Sequence, residues 1–204
     1  MVYSLFLGLA GFASGLVLGS FFEHAMHKNL FHSTPKIFKK VEYVKSMWKD
    51  HAMSHHRSYA PDQHYTQDDT NKHEVITFLQ WYVVPLIIIS ATAISYLFAY
   101  GVRLLIGPPI QLLMPEVIGT FIAFTFYYTA LEGLHAIMHV PNKWRWLRRQ
   151  RFMVWLNNHH YQHHLDPRTN LNTVIPIADY VWGTKRKLPK EHYSFANEPI
   201  LSES

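Results

Sequence analysis

Two stretches of this chain carry no charge over lengths that a lipid bilayer selects for. Val2 to Phe22 is uncharged, and so is Val75 to Val102. A hydrocarbon core takes roughly 20 apolar residues in a helix, so each run can span it. A cleaved leader is the competing reading of the first run, but no basic segment precedes it and no clear cleavage site follows. Gly11, Gly15 and Gly19 recur every four residues on one face of that run. Small residues so spaced let membrane helices approach closely, here expected as internal packing rather than dimerisation. The second run holds Pro85 and is expected to kink there, which a membrane helix tolerates when neighbours satisfy the freed carbonyl.

Leu104 to Met114 contains Gly107, Pro108 and Pro109 and reads as a loop or short interfacial piece. Pro115 and Glu116 then read as a helix start, proline suiting the first turn and an acid the positive dipole end. The apolar pattern continues to Leu131 and runs on through Glu132, His135 and His139. The expected spans are about 2–22, 75–102 and 115–139; a fourth inserted segment within 75–139 is the alternative. Charge favours three. Eight Lys/Arg lie between Glu23 and Glu74 and ten between Val140 and Ser204, whereas the connection between spans two and three holds only Arg103. The positive-inside rule puts both basic segments in the cytoplasm. The expected fold is therefore all-α: one membrane-embedded domain over 1–190, a helical bundle with a cytoplasmic histidine-rich cap (23–74 and 140–190), then a tail, 191–204. The net charge of +5 needs no nucleic acid to explain it.

The chain has 15 histidines and no cysteine. That excludes disulfides, thiolate-bound zinc, iron–sulfur ligation and a cysteine nucleophile. The histidines fall into four boxes: His27-x4-His32, His51-x3-His55-His56, His135-x3-His139 and His160-x2-His163-His164. Each lies at the end of an apolar run or in a basic segment, so all four can meet in one layer. His135 and His139 share a helix face, and His51 with His55 repeats that spacing. His27 and His32, five apart, suit a helix end where the chain turns. Imidazole binds iron, zinc, copper and nickel. Ten boxed histidines are too many for one ion and suit two, at about four to six ligands each by this spacing.

A metal-bound histidine normally gives its other N–H to a carboxylate or carbonyl. Glu23, His24, Glu132 and His159 flank the boxes and are expected in such supporting roles. Glu132 has the strongest case, because a charge at a membrane boundary is otherwise costly. Asp50 also sits beside a box, and Asp166, Asn170 and Asp179 are weaker candidates. His64, His73 and His192 are expected to be ordinary surface histidines.

The order of the four boxes resembles the membrane-bound fatty acid hydroxylase/sterol desaturase superfamily. His27-Lys-Asn-Leu-Phe-His32 is similar to the first box of its fatty acid 2-hydroxylase branch. Pro176-Ile-Ala-Asp-Tyr-Val-Trp-Gly-Thr184 resembles the segment after that family's last box. The resemblance runs from about Glu23 to Thr184. Three features depart from the branch: the longer spacing in the second box, a single span before the first box, and no fused cytochrome b5 domain.

The resemblance implies a non-haem di-iron centre held by the ten boxed histidines, with zinc a possible substitute in purified protein. It implies dioxygen-dependent oxidation of a C–H bond in a lipid or acyl chain, most readily hydroxylation. No side chain need act as nucleophile or base, since the cofactor carries the chemistry. Electrons would come from an external carrier of ferredoxin or cytochrome b5 type with its reductase. Basic faces at Lys36–Lys49 and Lys143–Arg151 suit an acidic carrier. The expected home is a bacterial inner membrane or the endoplasmic reticulum, with an oligomer left open. Carotenoid or sterol hydroxylases and desaturases are alternatives within the superfamily. A histidine-rich metal transporter or sensor is the alternative outside it, although transport would need ligands at mid-membrane depth. Phe124, Phe126, Tyr127 and Tyr128 are candidate walls of a chain tunnel, against the simpler reading as core or lipid-facing aromatics.

Overall fold

Uninterrupted apolar sequence produces three long helices in the computed structural model, which describes residues 2–33, 40–61, 65–67, 82–106, 114–140 and 144–193. They are α1 (Val2–Met26), α4 (Val84–Ile106) and α5 (Met114–His139). Shorter elements are α2 (Glu42–Trp48), α3 (His56–Ser58), α6 (Arg145–Arg148), α7 (Arg151–Leu165) and α8 (Ile177–Val181). Two π-helical turns, His27–Phe31 and Lys49–His55, and a 3₁₀ turn, Lys190–His192, complete the set. No strand occurs among the described residues. Three helices are long and apolar enough to cross a membrane. At 1.5 Å per residue, α1 reaches about 37 Å, more than the roughly 30 Å of a hydrocarbon core.

The chain divides into two compact units, Met1–Phe21 with Leu79–Ala130, and Phe22–Phe78 with Leu131–Ser204. In the first unit large apolar side chains point outward, among them Phe6, Leu86, Leu97, Phe98 and Ile122. Water would penalise such faces; acyl chains do not. The inward face of α1 is built from its glycines. A methyl group on Gly11 would strike the Glu116 carbonyl, and one on Gly15 would lie 2.6 Å from the Ala123 methyl. One on Gly19 would lie 2.7 Å from the Tyr127 ring. Gly119 on α5 reciprocates against the Gly8 carbonyl. The Thr120 hydroxyl reaches both the Gly11 carbonyl (3.2 Å) and the Glu116 carbonyl (3.0 Å). The glycine stripe therefore serves α1–α5 packing, as its spacing suggests. Phe124 and Tyr127 are core residues and Phe126 faces outward.

Two details differ from the sequence reading. Pro85 does not kink a span, because α4 begins at Val84 and places it in the first turn. There its missing N–H breaks no intrahelical bond. Residues 75–81, expected within that span, lie outside the described residues. Leu104 to Ile106 are helical rather than loop, since no helix breaker intervenes before Gly107. The helix start at Pro115 and Glu116 stands as expected, within one residue.

The second unit is built on the end of α5 and on α7. Ile137, Met138, Met153 and Leu156 form one buried cluster, with Leu134 and Leu147 packed against it. Tyr65, Tyr161 and Leu188 form another. If the glycine seam sets the α1–α5 distance, Gly119→Leu should destabilise by about 1–3 kcal/mol or more, as overpacking does. Gly101→Ala, with open space around it, should leave thermal unfolding in detergent nearly unchanged. Equal melting curves for both variants would contradict this packing.

Candidate metal centre

All ten boxed histidines lie in the second unit, and they gather into two groups of five. One group is His27, His32, His51, His56 and His163; the other is His55, His135, His139, His160 and His164. Within each group the ligand atoms all lie within 4.8 Å of one another. Eight of the ten are buried, His139 and His163 completely, and His32 and His56 are half-buried.

Helix winding decides the partition. In an α-helix, residues five apart are turned about 140° from each other. A π turn closes an i to i+5 bond instead. His32 N–H bonds to the His27 carbonyl (3.0 Å), and His56 N–H bonds to that of His51. Each π turn therefore presents an i, i+5 histidine pair to the first group, and the His27 and His32 rings stack with centroids 5.1 Å apart. The α-helical pairs His135/His139 and His160/His164, four apart, go to the second group. His55 and His163 cross over: each sits beside a histidine of its own box yet serves the other group. The His51 and His55 rings stack with centroids 5.2 Å apart, yet they divide between the two groups, because π winding pairs His51 with His56.

Within the first group, Nε2 atoms meet at 2.9 Å (His27–His51), 3.0 Å (His32–His163), 3.1 Å (His56–His163) and 3.3 Å (His51–His56). Within the second they meet at 3.2 Å (His55–His135), 3.1 Å (His139–His160) and 3.2 Å (His160–His164). Bonds of about 2.0–2.1 Å from a metal to ring nitrogen would set neighbouring ligands about 2.8–3.4 Å apart. The donor sets fit that spacing. Three tautomers are fixed by carbonyls: the Nδ1–H groups of His27, His139 and His163 donate to Leu171 O (2.7 Å), Tyr65 O (2.7 Å) and Thr169 O (2.8 Å). Their Nε2 lone pairs are left facing their groups, and lone pairs at 3 Å require a proton or cation between them.

The carbonyls are themselves held. Asp179, fully buried, accepts the N–H groups of Leu171 (2.9 Å) and Asn172 (2.9 Å) and the Thr184 hydroxyl (2.6 Å). His159 Nε2 lies 3.2 Å from Asp179, and His24 Nε2 lies 3.6 Å from it and 3.0 Å from Thr184 Oγ1. Glu23 accepts the Thr173 N–H (2.6 Å) and the Asn172 amide (3.0 Å). Asn170 adopts a left-handed φ of 50°, a region asparagine tolerates. Its side chain bonds the carbonyls of His159 and Arg186 (2.9 and 3.0 Å) and the Arg186 N–H (2.7 Å). Glu23, His24 and His159 thus buttress the 169–173 loop, directly or through Asp179 and Thr184. Glu132 is half-buried one turn before His135 and belongs to neither group. Asp50 is exposed, and Asp166 pairs with Arg168 at 2.9 Å.

Sequence reasoning missed Tyr59, Tyr65 and the carbonyls of Thr169 and Leu171. The rings of Tyr59 and Tyr65 lie 4.5 and 4.9 Å from that of His139. Backbone oxygens have no residue signature; the only usable signal was the histidine-bracketed tyrosines. His192 is half-buried with its ring 6.1 Å from Tyr161, while His64 and His73 lie outside the described residues.

Burial sets the protonation. Desolvation first, then neighbouring imidazoles, pushes His51, His55, His56, His160 and His164 well below the ordinary histidine value. Desolvation also takes His32 to about 3, and His163 to about 4 despite its carbonyl bond. All are neutral at pH 7. Compared with models of protein families, with curated proteins and with solved structures, the chain matches none of them.

Two outcomes follow from this geometry. The unfolded chain takes up protons near pH 6.5 while the folded rings resist, so the metal-free protein keeps full stability above pH 6.5. It should lose that stability as pH falls from 6.5 towards 3. Thermal unfolding after chelation tests this; a melting temperature flat between pH 7 and 5 would refute it. Asp179→Ala strands several buried donors, at a cost on the order of 3 kcal/mol or more. It should also lower the metal retained per chain, whereas Asp166→Ala should change neither.

Proposed function

We propose that this protein is an integral membrane oxygenase that oxidises a C–H bond of a lipid or acyl chain at a non-haem di-iron centre. The observation carrying this reading is the pair of five-imidazole groups, in a chain whose long helices are apolar enough to cross a membrane. When bound, two iron ions would supply the oxygen-activating chemistry, dioxygen and two electrons yielding one oxygen atom for the C–H bond and one for water. His27, His32, His51, His56 and His163 would hold one ion, and His55, His135, His139, His160 and His164 the other. An all-imidazole set is neutral, so it leaves the full charge of each cation in place.

The chain's own work is binding, orientation and exclusion of water. Carbonyl bonds from Leu171, Tyr65 and Thr169 hold three imidazoles in one tautomer and one direction. The aromatic rings of Tyr59 and Tyr65, both buried, flank His139 and exclude water there. The eighteen basic residues in the two histidine-bearing segments favour a cytoplasmic site, where a soluble carrier can deliver electrons. Because His27 and His135 fall near span ends, head-proximal carbons of a lipid are the favoured targets.

The test is expression in a host supplied with a reductant, followed by lipid mass spectrometry. A lipid that gains one oxygen, or loses two hydrogens, is expected. His135→Ala and His163→Ala, one from each group, should each abolish the product while membrane insertion persists. A purified protein with two tightly bound ions and a competent reductant that leaves a broad lipid panel unchanged would refute the proposal.

A further inference from the structure

The segment after α5 carries apolar side chains both in the interior and at the surface. Leu147, Met153 and Leu156 pack on Leu134, Ile137 and Met138. Trp144, Trp146, Phe152 and Trp155 are each between 44% and 62% exposed. Trp144 has a left-handed φ of 56°, which turns the chain into α6. A left-handed conformation is disfavoured for a residue with a side chain, so this turn is held against a local preference.

Three facts indicate what covers this face. Residues 140–165 contain five Lys/Arg and no acid, and Arg145, Arg149 and Arg151 are exposed among the aromatic rings. Trp144 follows His139, the last residue of a helix apolar enough to cross a membrane, by five residues. Five residues reach at most about 17 Å, so the segment cannot leave the vicinity of that helix end. Tryptophan with arginine is the composition of a bilayer interface, the rings sitting at headgroup level and the guanidinium groups meeting anionic phosphates.

We propose that Trp144–Trp155 is an interfacial anchor that lies in the headgroup layer and binds anionic phospholipid. The rings enter the boundary between headgroups and acyl chains, and Arg145, Arg149 and Arg151 pair with lipid phosphates. This contact is independent of any oxygenase chemistry. It also touches the support of the first histidine group: the Trp155 ring stacks on His159 (centroids 5.7 Å), which bonds Asp179. An acidic carrier protein is the competing occupant, and lipid contact would leave carrier docking to the other basic segment, around Lys45 and Lys49.

The cysteine-free chain makes the test direct. Trp146→Cys and Phe152→Cys, made separately, and Glu191→Cys as an exposed reference, are each nitroxide-labelled in the full-length protein. The protein is placed in vesicles of phosphatidylcholine with or without phosphatidylglycerol. Collision rates with oxygen, which partitions into bilayers, and with a water-soluble nickel chelate are then compared. Labels at 146 and 152 should favour oxygen several-fold over the chelate, and more so with phosphatidylglycerol; the label at 191 should favour the chelate. Adding Arg145→Gln, Arg149→Gln and Arg151→Gln should remove the phosphatidylglycerol dependence. Labels at 146 and 152 as open to the chelate as that at 191 would overturn the anchor. So would shielding that appears only when an acidic protein is added. Phosphatidylglycerol dependence that survives the triple substitution would overturn the arginine–phosphate part.

Discussion

Imidazoles gathered this closely in a mostly buried site must be neutral, and their inward nitrogens at about 3 Å need a proton or a cation between them. Charged together in a dry site, they would repel strongly. Left neutral with facing lone pairs about 3 Å apart, they would lose hydrogen bonds to water without replacement. A metal ion in each group would resolve both problems, and the rest of the second unit is arranged to hold the two groups in place. The π turns set which rings meet. Carbonyls of 65, 169 and 171 set which nitrogen points inward. Asp179 and Glu23 hold the loop that carries two of those carbonyls.

Much of this was legible in the sequence, and the illegible part has a physical cause. Charge-free length reveals the helices long and apolar enough to cross a membrane. Histidine spacing marks all ten members of the two groups. It does not reveal how they divide, because that depends on π winding at His27–Phe31 and Lys49–His55. An ordinary α-helical wheel puts His51 with His55; one extra residue per turn puts it with His56. Proline content marked Pro85 as a break, but only the start of α4 shows that it opens the helix.

The supporting residues were harder to rank. Glu132 looked strongest because it stands one turn from His135. Asp179 looked weak, yet it sits at the centre of a buried hydrogen-bond array. Proximity along the chain is a poor guide when the supported group is a loop far away in sequence. Glu23 shows the same thing: it reaches residues 172 and 173, about 150 positions on.

The crossing over of His55 and His163 has a consequence for assembly. Each of the second and fourth boxes feeds both groups, so neither cage can be drawn tight without moving backbone that the other uses. Filling either one would pre-shape its twin, and stripping either would loosen both. A chain wired in this way should favour two extremes, fully equipped or empty, over a half-furnished form.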